Sequence, residues 1–165
     1  MNMGRVDMEK QYIQMMLESL QKKEAVLQSL LEKSAEQKDV LSAENVDWDA
    51  FDVLTVDKGN LIDTLLKLDE GFEGLFERVK EPLTMKKELY KTEIGFMQAT
   101  IRSLTDKSAE LEALEQRNKK LVETKLTESR QAIKQSKIGS QAAMQYYQRM
   151  NKINTIDPQL MDKKS

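Results

Sequence analysis

The sequence predicts an all-α protein: an elongated antiparallel bundle of three long helices with coiled-coil-like packing, plus a short C-terminal helix or tail. Three observations lead there. Of 165 residues, 33% are charged, 39% hydrophobic and only 5% aromatic, with six glycines and two prolines. That makeup favours long helices with solvated charged faces over a sheet protein or a disordered chain. Apolar residues recur at alternating spacings of three and four, the rhythm of a helix face. Breaks fall near Asn45 and Pro82, and tight connections there make neighbouring helices antiparallel. A chain of this size is one domain, large enough to bury a core.

The first helix is expected from about Asp7 to Leu41. Ile13, Met16, Leu17, Leu20, Leu27, Leu30 and Leu31 share one side, and Lys22, Lys23 and Glu24 interrupt the stripe. The stretch "SAENVDWDAF" then breaks and restarts the chain, because Asp47 can cap free backbone N–H groups while Asp49 and Asp52 favour the positive end of the helix dipole.

The second helix is expected from Trp48 to Lys80, with Leu54, Lys58, Leu61, Leu65, Leu68, Phe72, Leu75 and Val79 as its seam. Lys58 on that seam reads as a snorkelling lysine near the end of the bundle. Gly71 and Gly74 each weaken a helix interior by about 1 kcal/mol relative to alanine, and read as a close helix contact. Pro82 restricts the residue before it, removes a donor, and ends the helix.

A third helix resumes with Tyr90, Ile94, Met97, Ile101, Leu104, Ser108 and Leu111 in the same rhythm. Past Leu114 the stripe thins to Leu121, Val122, Leu126, Ile133 and Ile138 while lysines and arginines crowd in. At 1.5 Å per residue the second helix would be about 50 Å long and the third, continued to Ile138, about 80 Å, leaving roughly 30 Å of overhang. Gly139 and Ser140 offer a stop. Residues 1–138 thus form the bundle body, and residues 139–165 a C-terminal partner-binding segment.

The net charge of −2 hides an asymmetry: residues 1–115 hold 15 Lys+Arg against 24 Asp+Glu, and residues 116–165 hold 11 against 4. A basic end can serve nucleic acid, an acidic partner or docking onto the chain's own acidic body. Nucleic acid is disfavoured here, since the cations follow no single stripe and the aromatic pair lies beyond the basic run.

That pair, Tyr146 and Tyr147, belongs to the late cluster Ala143, Met144, Tyr147, Met150, Ile153 and Ile156. One reading is a short fourth helix that docks Ala143, Tyr147 and Met150 on the bundle, with Ile153 as a further candidate. The other is a partner-binding segment, because methionine and tyrosine give adaptable contacts and large amphipathic area. Both hold if the segment docks in the free chain and is released to a partner.

With no histidine and no cysteine, Glu-x-x-His di-iron sites, His/Cys zinc sites and histidine-dependent triads are all excluded. No phosphate-cradling GxxxxGK[ST] occurs. No catalytic residue, metal site or cofactor is expected. The absence of a long apolar run, and a start "MNMGRVDMEK" that leads to no signal-peptide core, suggest a cytoplasmic protein without membrane insertion.

Three stretches carry a family likeness: "LESLQKKEAVLQSLLEKSAEQKDVL", "LTVDKGNLIDTLLKLDE" with its Leu-x3-Lys-x2-Leu, and the end "YYQRMNKINTIDPQLMDKKS". Together they resemble the flagellar type III export chaperones of the FlgN class over nearly the whole chain. The resemblance implies a cytoplasmic, helical, non-catalytic chaperone whose C-terminal region binds helical ends of a hook-filament junction protein. It also implies that Tyr146 or Tyr147 contacts a component of the export gate, with at most weak homo-oligomerisation. The alternative is a structural coiled-coil adaptor that self-associates through its own seam.

Overall fold

The computed structural model describes residues 2–128 and 143–150, and within them the protein is an all-α bundle. Three long helices, α1 (Asn2–Leu41), α2 (Trp48–Met85) and α3 (Lys91–Glu128), are joined by short turns. A fourth short helix, α4, covers residues 143–150. The expected first helix, begun at Asp7, extends to Asn2. The α2 restart is as the sequence indicates: Asp47 is the N-cap and its carboxylate accepts from the Ala50 amide at 3.1 Å. At about 1.5 Å per residue each long helix spans close to 60 Å.

Two boundary expectations need correction. α2 does not stop at Pro82 but continues one turn to Met85, closed by the Lys86 amide on the Pro82 carbonyl at 2.8 Å. Leu83 is buried in that last turn, so packing outweighs the donor lost at proline. Nor do Gly71 and Gly74 mark a close helix contact. Both are exposed, and a Cβ added at either would meet nothing within 4 Å.

The helices run up, down and up. Gln37 faces Thr55 and Ser19 faces the Leu68 carbonyl, which sets α1 and α2 antiparallel. Glu24 faces Ser103 and Ser34 faces Glu115, which sets α1 and α3 parallel. α1 packs along both neighbours, whereas the backbones of α2 and α3 stay apart for almost their whole length. α1 therefore needs a broad buried face, and it has one: Ile13, Met16, Leu20, Leu27, Leu30, Leu31 and Leu41 are all core residues. The lysine that interrupts this stripe in sequence, Lys23, is itself buried and paired with Asp69.

The α2 seam lies one position round from the expected one at three of its eight points. Lys58, Leu65, Phe72 and Val79 are buried as anticipated, but Thr55, Ile62 and Phe76 take the remaining places, and Leu54, Leu61, Leu68 and Leu75 sit half-buried beside them. Neighbouring positions such as Leu61 and Ile62 are both apolar, so spacing alone does not choose between them. In α3 the seam of Met97, Ile101, Leu104 and Leu111 is as expected and then runs on through Glu115, Asn118 and Val122. Where the stripe thins, α3 is still packed: Val122 joins Leu41 and Phe51 in a second small core, flanked by Val40, Val46, Trp48, Leu121 and Leu126. The expected overhang of roughly 30 Å, about twenty residues ending at Ile138, is therefore not free in its first half, where Leu121, Val122 and Leu126 pack on α1 and α2; residues 129–138, with Ile133 and Ile138, lie outside the described residues.

Candidate functional site

One level of the bundle is polar on all three long helices. Ser34 and Gln37 from α1, Thr55 and Lys58 from α2, and Glu115 and Asn118 from α3 occupy seam positions and are buried. Lys58 is 1% exposed and Glu115 3%, and they form an ion pair at 2.7 Å. The snorkelling role expected for Lys58 is thus incorrect: the helix carries its ammonium into the core, where Glu115 and Gln37 accept from it.

The rest of the layer holds this pair in place. The Gln37 amide donates to Thr55 Oγ1 at 2.8 Å and to the Phe51 carbonyl at 3.2 Å, which leaves its oxygen facing Lys58. Ser34 donates to Glu115 Oε1, and the Asn118 amide donates to the Ser34 carbonyl at 2.9 Å. Burial holds the Lys58 pKa below the usual lysine value, against the opposing pull of the Glu115 charge and hydrogen bond.

α4 closes the layer from the side where α2 and α3 diverge. Tyr146, 2% exposed, lays its ring under the Lys58 ammonium, 4.1 Å from the ring centroid. A cation–π contact of this kind is worth about 2 kcal/mol when desolvated. The Tyr146 hydroxyl lies beside Glu115 and Ser34; it, Glu115 Oε2 and Asn118 Oδ1 have no hydrogen-bond partner among the described residues. Burial first, and the Glu115 charge second, push the Tyr146 and Tyr147 phenols well above the ordinary tyrosine range.

Arg149 fastens the helix to α2, donating to the Gly59 carbonyl at 3.3 Å and pairing with Asp63 at 3.1 Å. Gly59 leaves the backbone open to this guanidinium, and a Cβ there would stand 3.5 Å from it. On the α3 side, the Lys119 ammonium sits 5.9 Å from the Tyr147 ring. α4 thus bridges two helices that barely approach each other directly.

Of the residues singled out in the tail, Ala143, Tyr146 and Met150 are buried against the bundle. Their spacing of three and four puts them on one face. Tyr147 packs at the edge of the core and stacks edge-on against Tyr146, with centroids 5.5 Å apart. Met144, 64% exposed, points away. Docking therefore uses Tyr146 where the sequence suggested Tyr147. Ile153 and Ile156 lie outside the described residues.

Sequence reasoning missed Glu115, Asn118, Ser34 and Gln37 as members of a site. The signal was present, since each continues the three-four spacing of its helix with a polar residue, but a pair of polar seam positions on each helix gives no hint that the three pairs coincide at one level. Among the described residues there is no group of acidic residues able to hold a metal ion. Nor is there a helix long and apolar enough to cross a membrane. Compared with known proteins, the chain matches no family model, no curated sequence and no solved structure.

Proposed function

We propose that the protein is a non-catalytic export chaperone. It would bind a helical segment of a flagellar hook-filament junction protein in the cytoplasm, prevent its premature assembly and deliver it to the export gate. The observation that carries the reading is α4, an eight-residue amphipathic helix seated between α2 and α3. A helix this short has little stability of its own and exists by virtue of what it docks on. Its methionine and tyrosine side chains suit repeated exchange of contacts, because both adapt to new surroundings. In this reading α4 rests on the bundle in the free chain and is released to the partner, with Ala143, Met144, Tyr147, Met150, Ile153 and Ile156 of the C-terminal segment meeting the substrate. Tyr146 or Tyr147 meets the gate.

The adaptor reading fares less well. Self-association through a seam requires a continuous apolar stripe on the outside, whereas the seams of α1, α2 and α3 are consumed within the bundle. The exposed apolar side chains, Met15, Val53 and Phe96 among them, are dispersed over all the helices.

Calorimetric titration of the chain with a junction protein and its isolated terminal helices tests the proposal. A stoichiometric complex is expected, weakened by roughly 1 to 3 kcal/mol in Met150→Ala and lost when the chain is ended after residue 138. No complex with any flagellar axial protein, or full affinity in the shortened chain, refutes it.

A further inference from the structure

A second surface lies near the opposite end of the bundle from the α4 layer, where the start of α1 meets the end of α2. There the two antiparallel helices leave a groove of about 790 Å³, within the range of clefts that take ligands. Its apolar walls are Met8, Tyr12, Pro82 and Met85. The two methionines are among the most exposed large apolar residues of the chain, Met85 at 77% and Met8 at 53%. Exposed thioethers lining a groove between helices are the kind of surface that amphipathic helices lie against.

The charges around this groove do not balance. Arg78 donates to the Tyr12 hydroxyl at 3.1 Å and stacks over its ring, but has no carboxylate within ion-pairing distance among the described residues. Arg5, also on the rim, makes no ion pair there either. Glu9 is already engaged, accepting from Lys86 at 3.3 Å and from the Tyr90 hydroxyl at 2.9 Å. Two guanidiniums therefore face the groove against the single remaining carboxylate, Glu81. Guanidinium groups beside apolar walls favour carboxylates presented by a helix whose other face is apolar.

We infer that this groove docks an acidic amphipathic helix of a partner protein. A second copy of the chain is a poor occupant, because two-fold pairing through this face would gather Arg5 and Arg78 of both copies at one interface, where only the two Glu81 carboxylates remain to meet them. The chain's own C-terminal third is a poor one too, since residues 116–165 hold 11 Lys+Arg against 4 Asp+Glu. The inference is independent of α4 and of the chaperone reading.

The probe is a helical peptide with leucines in one stripe and glutamates along its flanks, set against its counterpart with lysine for every glutamate. Both are titrated into the full chain carrying ¹³C-methyl methionine. The acidic peptide is expected to shift the Met8 and Met85 methyl signals and to bind at least about tenfold more tightly than the basic one. The preference should shrink as salt is raised. Met85→Glu and Arg78→Glu, both at exposed positions, should each weaken the acidic peptide about tenfold with helix content retained; melting should be unchanged in Met85→Glu and lower by no more than about 4 °C in Arg78→Glu, which gives up its exposed contact with Tyr12. Equal or absent binding of the two peptides overturns the inference. So do methyl shifts confined to other methionines, or a Met85→Glu effect read as altered self-association in sedimentation.

Discussion

Replacing Glu115 by alanine should expose what holds the polar layer together. The substitution leaves the Lys58 ammonium, 1% exposed, with only the Gln37 oxygen and the Tyr146 ring as partners. Removing one member of a buried pair costs about 3 to 5 kcal/mol, because a charge is stranded. In a domain of this size each kcal/mol moves the melting temperature by about 2 to 4 °C, so Glu115→Ala should melt about 6 to 20 °C below the parent. Lys58→Met combined with Glu115→Leu should recover most of that loss or exceed the parent, since apolar residues of similar volume replace buried pairs at little cost.

The deficit should also depend on pH. The folded Lys58 pKa lies below the ordinary 10.5 through desolvation, and Glu115 is what pulls it back up. Without Glu115 it falls further. Between that lower pKa and 10.5 the unfolded chain holds a proton that the folded variant lacks, so the variant's stability rises with pH there. The parent's Lys58 loses its proton later, so the gap to the parent should narrow between the variant's folded pKa and the parent's, both below 10.5. Urea unfolding of the parent, both single variants and the double variant, followed by circular dichroism, checks all of this. A single-variant loss below about 1 kcal/mol, or a double variant as unstable as Glu115→Ala, refutes the reasoning.

Gly71→Ala and Gly74→Ala should each stabilise the chain by up to about 1 kcal/mol, seen as a higher urea midpoint, because both are exposed helix-interior positions with open space around a Cβ. Tyr146→Phe should keep the ring under Lys58 and discard a hydroxyl that has no partner among the described residues, leaving stability within about 1 kcal/mol of the parent, whereas Tyr146→Ala should cost about 3 to 5. The phenol titration followed by absorbance should lag: Tyr90, buried and bonded to Glu9, is pushed up to about 12. Its stabilising contribution is full below pH 10 and is lost as pH rises from 10 through about 12, so Tyr90→Phe should flatten the fall in stability over that window.

The fold was legible because its carriers are local. Asp47 announces the start of α2, and Met97, Ile101, Leu104 and Leu111 announce the inner face of α3, through spacing and capping chemistry that operate within a few residues. The finer seam of α2 was not legible, since Leu54, Leu61, Leu68 and Leu75 compete with Thr55, Ile62 and Phe76 and only the placement of α1 decides between them. Of the site, the docking tail was visible in Tyr146, Tyr147 and Met150, but its foundation was not. Ser34, Lys58 and Glu115 are far apart in sequence, and their meeting depends on the relative sliding of three helices, a quantity that no single helix encodes.

The separation of α2 from α3 gives the bundle a mechanical character. α1 acts as the spine of a book, with α2 and α3 as two covers that each lie along it and hardly touch each other's backbone. Side chains of the two covers still meet within the shared core, and the Lys58–Glu115 pair braced by Tyr146 adds a polar clasp between them at one level. Amide exchange should follow this layout, slowest along the middle of α1 and faster on the α2 and α3 flanks that border α4.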